Sequence, residues 1–101
     1  MMDIGKSLRT AVKTGKVQFG SRQTLKSLKE REAELIILAR NCPYNYRKEI
    51  EEKSEDVLIY PFDGSGKDLG ILCGKPFIIS SLSIADEGES DIIDLLSNSK
   101  R

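Results

Sequence analysis

Glycine, hydroxyl, cation, amide and aromatic groups gather in three short segments of this chain: Gly20-Ser21-Arg22-Gln23-Thr24, Ala39-Arg40-Asn41-Cys42-Pro43 and Leu69-Gly70-Ile71-Leu72-Cys73-Gly74-Lys75-Pro76-Phe77. A helix that starts at Ser21 exposes unpaired amide protons and a partial positive charge, with Arg22 and Gln23 in its first turn and Lys26 and Lys29 further along, so its start suits a phosphate. Asn41 carries both a donor and an acceptor that fit a base edge, Arg40 can meet phosphate, and Pro43 limits the freedom of the loop. Phe77, next to Lys75, offers a ring on which an unpaired base can stack. Each residue also has a plainer use. Gly20 and Gly74 serve turns and helix ends, Asn41 can cap the helix that follows it, and Phe77 can be core. It is the convergence of the three segments that points to RNA.

Other chemistries lack their residues. A phosphate-binding loop needs two glycines at fixed spacing followed by Lys and Ser or Thr. Gly15 to Gly20 is followed by Ser21-Arg22, Gly70 to Gly74-Lys75 is one residue short and meets Pro76, and Gly66-Lys67 has Pro61 at the required glycine. The chain contains no histidine, which removes the commonest general base and zinc ligand, and no serine stands in Gly-x-Ser-x-Gly. The carboxylate pairs Glu51/Glu55 and Asp86/Glu87 fall on a charged helix end and a turn, where solvation is the ordinary role. Cys42 and Cys73 read as small apolar thiols in a reducing compartment. The expectation is a protein without catalysis, metal or cofactor.

The elements that must position these segments alternate between helix and strand. Asp3 can cap a first helix with an apolar stripe of Ile4, Leu8, Ala11 and Val12, which Gly15 ends. Residues 17–19 form a short strand, and Ser21 caps a second helix carrying Leu25 and Leu28. The run Leu35-Ile36-Ile37-Leu38-Ala39 is apolar at every position, as a strand covered on both faces requires. Pro43 opens a third helix with Tyr46 and Ile50 inward, which ends within the polar stretch 51–56. Residues 57–60 are a third strand. Ser65 and Asp68 have capping-box spacing for a short helix that Gly74 stops. Residues 77–84 form a fourth strand, and residues 90–96 a last amphipathic element. The economical fold is a three-layer α/β/α sandwich around a mixed four-stranded sheet, with one domain over residues 1–96 and a polar tail over 97–101.

No apolar run approaches the ~20 residues that span a bilayer, so no membrane association is expected, and the first residues lack the order of a secretory signal. The net charge of zero conceals a split: eleven Lys and Arg against five Asp and Glu in residues 1–50, and five against eleven in residues 51–101, giving +6 and −6. Such asymmetry fits a local basic face on nucleic acid, or two halves that neutralise each other.

The order of the three segments resembles the L-thirty-e ribosomal proteins of archaea and eukaryotes, within the kink-turn-binding superfamily. The resemblance covers nearly the whole chain. Its most specific parts are Thr14-Gly15-Lys16-Val17, Gly20-Ser21-Arg22-Gln23-Thr24-Leu25-Lys26, Leu35-Ile36-Ile37-Leu38-Ala39-Arg40-Asn41, Leu69-Gly70, Gly74-Lys75-Pro76-Phe77 and Glu87-Gly88-Glu89-Ser90-Asp91-Ile92. It implies a structural constituent of the large ribosomal subunit in the cytoplasm, bound to a sharply bent rRNA internal loop with sheared G·A pairs and an extruded nucleotide. Other large-subunit proteins would be its neighbours, and it would be monomeric when free. By position the resemblance implies RNA contacts for Gly20, Arg22, Asn41, Gly74, Lys75, Phe77 and Ile79, with Phe77 and Ile79 meeting the extruded base, and the reading of the residues themselves adds Ser21, Gln23, Lys26 and Arg40 to the expected RNA-binding set. Residues 51–56 depart from the family's longer, more aromatic helix end, and Ile71 stands where threonine often follows Leu-Gly. Arg22-Gln23, in place of Asn-Glu, favours the ribosomal branch over the small-RNP core protein. The rival from another class is a protein-interaction module that uses the acidic half.

Overall fold

A computed structural model of the chain describes residues 4–99. Asp3, the expected cap of the first helix, lies outside them, as do Lys100 and Arg101 of the expected tail. Helices and strands alternate as α1 (Ile4–Thr14), β1 (Lys16–Phe19), α2 (Ser21–Lys29), β2 (Leu35–Leu38), α3 (Tyr44–Lys53), β3 (Leu58–Pro61), α4 (Gly66–Leu72), β4 (Ser81–Asp86) and α5 (Ile92–Ser99).

The four strands make one sheet in the order β1-β4-β2-β3. β4 runs antiparallel to β1 and β2, while β2 and β3 are parallel. The sheet is therefore mixed, and β2 is internal, as its unbroken apolar run requires: Leu35, Ile36, Ile37 and Leu38 are all buried. Alternation along β2 feeds two separate cores. Leu35 and Ile37 pack with Leu8 and Ala11 of α1, Leu69 of α4, and Ile92 and Leu96 of α5. Ile36 and Leu38 pack on the other face with Leu28 of α2 and Ile50 of α3. This is the expected three-layer sandwich.

The α2 layer sits close to the sheet because hydroxyl residues line the contact. Ser21, Thr24 and Ser27 of α2 are buried, as are Ser81 and Ser83 of β4, and Ser21 Oγ shares a 2.9 Å hydrogen bond with Ser81 Oγ. Small polar residues permit that approach, provided each hydroxyl finds a partner.

Several boundaries differ from the expectations. Gly20, not Ser21, is the N-cap of α2, and no side chain caps that helix; the Ser21 hydroxyl is committed to β4. Pro43 is the N-cap of α3 rather than its first helical residue. The fourth strand begins at Ser81, because residues 77–80 bend over α4 instead of extending. The last helix continues to Ser99, through residues 97–99 of the expected tail. The Ser65/Asp68 capping box forms in both directions.

Candidate nucleic-acid interface

β1 and β2 are both antiparallel to β4, and β3 is parallel to β2, so the carboxyl ends of β1, β2 and β3 emerge at one edge of the sheet, where β4 begins. The three segments follow from that geometry. Backbone bonds stitch them together: Gly20 N–H donates to Ser81 O (2.8 Å), Ala39 N–H to Ser80 O (2.9 Å), Arg40 N–H to Gly64 O (2.7 Å) and Phe62 N–H to Leu38 O (2.8 Å).

Gly20 turns the chain from β1 into α2 with φ 98° and ψ 155°, and beyond Gly20 itself and its two chain neighbours no atom lies within 4 Å of where its Cβ would be. The glycine is needed for its backbone angle, and the space before it is open to a ligand. Arg22, Gln23 and Lys26 are exposed on α2, whereas Ser21 is buried. The start of α2, uncapped by any side chain, points its first N–H groups towards the same opening.

Asn41 is exposed, but its carboxamide is not loose: Oδ1 accepts from Gly66 N–H at 2.9 Å. A backbone donor fixes which end of the amide is oxygen, leaving Nδ2 as a donor with no partner among the described residues. The loop beneath is braced by Arg47, whose guanidinium donates to the carbonyls of Ala39 (2.7 Å) and Arg40 (3.3 Å). Arg40 itself is paired with Asp63 at 2.8 Å, both side chains being well exposed, so a phosphate would compete with that carboxylate for it.

The third segment lies over α4. A Cβ on Gly70 would collide with the Phe77 carbonyl, so the Leu69-Gly70 pair places Leu69 in the core and lets the backbone of the loop seat on the helix. Lys75 N–H donates to Gly70 O and Ile79 N–H to Gly66 O, both at 2.9 Å. The Phe77 ring packs edge-on to Phe19, with centroids 6.0 Å apart and planes at 77°, and Lys75 Nζ lies 5.5 Å from the Phe19 centroid. Phe77 is 50% exposed and Ile78 70%, whereas Ile79 is 1% exposed. The structure thus presents Phe77 and Ile78 at the surface and puts Ile79 in the core, where its side chain packs with Leu69 and Leu82.

Gly20, Arg22, Gln23, Arg40, Asn41, Gly74, Lys75 and Phe77 are brought to this end, with Lys26 at its margin. Lys29 is about 12 Å from the α2 start by helical rise, in a groove it shares with Glu30, Glu49 and Glu52. Phe19, Asp63, Gly66, Arg47 and Ile78 also belong to the site. Ile78 carried no signal of its own, since Phe77-Ile78-Ile79 reads as strand and only the seating of this loop on Gly70 turns Ile78 outward. Nothing in the sequence marks Asp63 or Gly66 as partners of Arg40 and Asn41.

The titratable groups fit binding rather than acid/base work. Burial pushes the Cys73 thiol up to about 11 against the opposing charges of Lys75 and Arg9, and burial also raises Cys42. Both cysteines are free and buried, so they stay protonated near neutrality. Among the described residues no group of three or more His, Cys, Asp or Glu could hold a metal ion.

Residues 2–94 match the model of the Ribosomal protein L7Ae/L30e/S12e/Gadd45 family. The chain is 46% identical over 94 residues to large ribosomal subunit protein eL30 of Methanosphaerula palustris, covering 93% of this chain and 97% of that protein. It is 43% identical over 95 residues to the eL30 of Methanopyrus kandleri, with 92% and 87% coverage. With the eL30 of Methanothermobacter thermautotrophicus it shares 38% over 97 residues, covering 94% and 99%. The chain belongs to the Ribosomal protein L7Ae/L30e/S12e/Gadd45 family.

Proposed function

We propose that the chain is a structural, non-catalytic constituent of the large ribosomal subunit, bound to rRNA in the cytoplasmic ribosome, and that the end of the sheet described above grips a kink-turn. The relatives named large ribosomal subunit protein eL30 support the ribosomal role. The observation that carries the RNA assignment is the exposed Asn41 carboxamide, whose oxygen is held by Gly66 N–H and whose amino group is left as a donor, at the same end of the sheet as the uncapped start of α2. A fixed donor can read a base edge, helix N–H groups and Arg22 can take the bent backbone, and the half-exposed Phe77 can stack on an unpaired base. Irregular RNA is recognised by shape and by unpaired bases, so zero net charge is compatible with this role.

The test is a titration of the protein, as a monomer, against a kink-turn RNA and a matched duplex lacking the G·A pairs, across a salt series. Preference for the kinked RNA that persists at high salt is the expected result. Asn41→Ala should weaken it by about 1 to 3 kcal/mol. Absence of binding, or equal and salt-labile binding to both RNAs, would discard the reading and favour a protein-interaction module.

A further inference from the structure

The first helix carries cations that the kink-turn reading leaves unused. α1 contains Lys6, Arg9 and Lys13 and no carboxylate. All three are exposed, and their spacing puts them on one side of the helix, away from the Leu8 and Ala11 that face the core. A groove opens between this side and the end of α4. Lys6, Arg9, Lys13 and Lys75 line it, with Val12 and Cys73 also in its walls, and among the described residues no Asp or Glu takes part. Around α2 and α3 charges are mixed. Lys16 is paired with Glu32 and Lys53 with Glu49, and the groove between α2 and α3 interleaves Lys26, Lys29 and Lys53 with Glu30, Glu49 and Glu52.

The groove is also continuous with the candidate RNA face. Arg9 donates to Leu72 O at 3.2 Å, and its Cδ lies 3.8 Å from where a Cβ on Gly74 would be. The next residue, Lys75, covers the ring of Phe19, against which Phe77 packs. A strand that leaves Phe77 therefore passes Lys75 and reaches Arg9 and Lys13 without crossing a carboxylate of the groove.

We propose that this α1 groove is a second RNA contact, which holds the phosphate backbone of the arm that continues from the kink. It rests on the kink-turn reading and adds to it a site that reads charge rather than bases. Lys75 is the residue common to the two. Arg9, Lys13 and Lys75, in a lining with no Asp or Glu among the described residues, match a phosphate backbone, whose charges repeat along the strand.

The experiment compares two kinked RNAs that differ only in the length of one arm, the second being extended by a helical turn, each arm being tested in turn. The parent protein, Lys13→Gln and Lys13→Glu are titrated against both across a salt series, with thermal midpoints recorded for each variant. The parent should bind the extended RNA with the steeper salt dependence for one of the arms. Lys13→Gln should lose about 0.7 to 0.9 of log–log slope on that RNA, keep the parent's slope on the short one, and retain its thermal midpoint. Lys13→Glu should give a larger loss of affinity on the extended RNA alone. Unchanged slopes on the extended RNA, or equal losses on both, would overturn the proposal while leaving the kink-turn reading intact. Lys13-dependent binding of polyglutamate without an arm-length effect would assign the groove to an acidic protein and overturn it also. A parent that binds kinked and straight RNA alike would overturn the kink-turn reading, and this proposal with it.

Discussion

At the scale of the residue, Asn41 has two jobs that substitution can separate. Its oxygen accepts from Gly66 N–H, tying the loop after β2 to the start of α4, and a bond of that kind contributes about 1 kcal/mol. Its amino group is left for the ligand. Asn41→Ala removes both, so part of any affinity loss would come from a loosened α4. Asn41→Asp keeps an acceptor for Gly66 but replaces the outward donor by a charge that repels phosphate. The expected outcome is that Asn41→Ala lowers both the denaturation midpoint and the affinity for kinked RNA, while Asn41→Asp retains most of the midpoint and loses at least as much affinity. Equal affinities for Asn41→Asp and the parent would exclude Nδ2 as a base contact. Asn41 could be picked out from sequence because a carboxamide before a Cys-Pro helix start is exposed in almost any fold. Its hold on Gly66 could not, since 25 residues separate the partners and only the packing of β2 beside β3 brings them together.

At the scale of the element, α4 shows how a short helix fixes a binding loop. With seven residues it has little stability of its own, and it is held by Leu69 in the core, by the capping box and by the loop seated on Gly70. Asp68 accepts from Ser65 N–H (3.0 Å) and from Ser65 Oγ (3.1 Å), and these bonds, the backbone one first, hold its carboxyl below the ordinary value of 3.8. A carboxylate whose pKa is lowered on folding stabilises the fold above its unfolded value, about 3.9, and that contribution fades as pH falls through the folded value. Denaturation midpoints measured between about pH 5 and pH 2 should therefore fall less steeply for Asp68→Asn than for the parent, and parallel curves would count against the capping box as a pH-dependent brace. The Ser65-Asp68 spacing made this helix start legible in sequence, and the four-residue apolar run of β2 likewise declared a strand covered on both faces. The course of residues 77–80 was not legible, because Phe77-Ile78-Ile79 has the composition of a strand and only the close approach to Gly70 shows that it bends. That bend sends Ile78 outward and Ile79 inward.

At the scale of the whole molecule, the +6 and −6 halves of the sequence do not become two opposed faces. Acidic residues of α3 come back beside the cations of α2, so Lys29 shares its groove with Glu49 and Glu52, whereas Arg22 stands at the α2 start beside Phe19 and Gly20. From sequence alone Lys29 looks like a phosphate contact that should set salt sensitivity, because a helix read in isolation has no partner. The fold supplies one in α3. Counterion release counts the cations that meet phosphate, not those the protein carries, and Lys29 is both remote from the site and compensated by carboxylates. Arg22→Gln should therefore lower the log–log salt slope for kinked RNA by about 0.7 to 0.9, and Lys29→Gln should leave it at the parent's value. The same titration with both variants checks this. If Lys29→Gln lowers the slope as much as Arg22→Gln, phosphate reaches the far end of α2, and the bound RNA covers the α2–α3 groove as well as the end of the sheet.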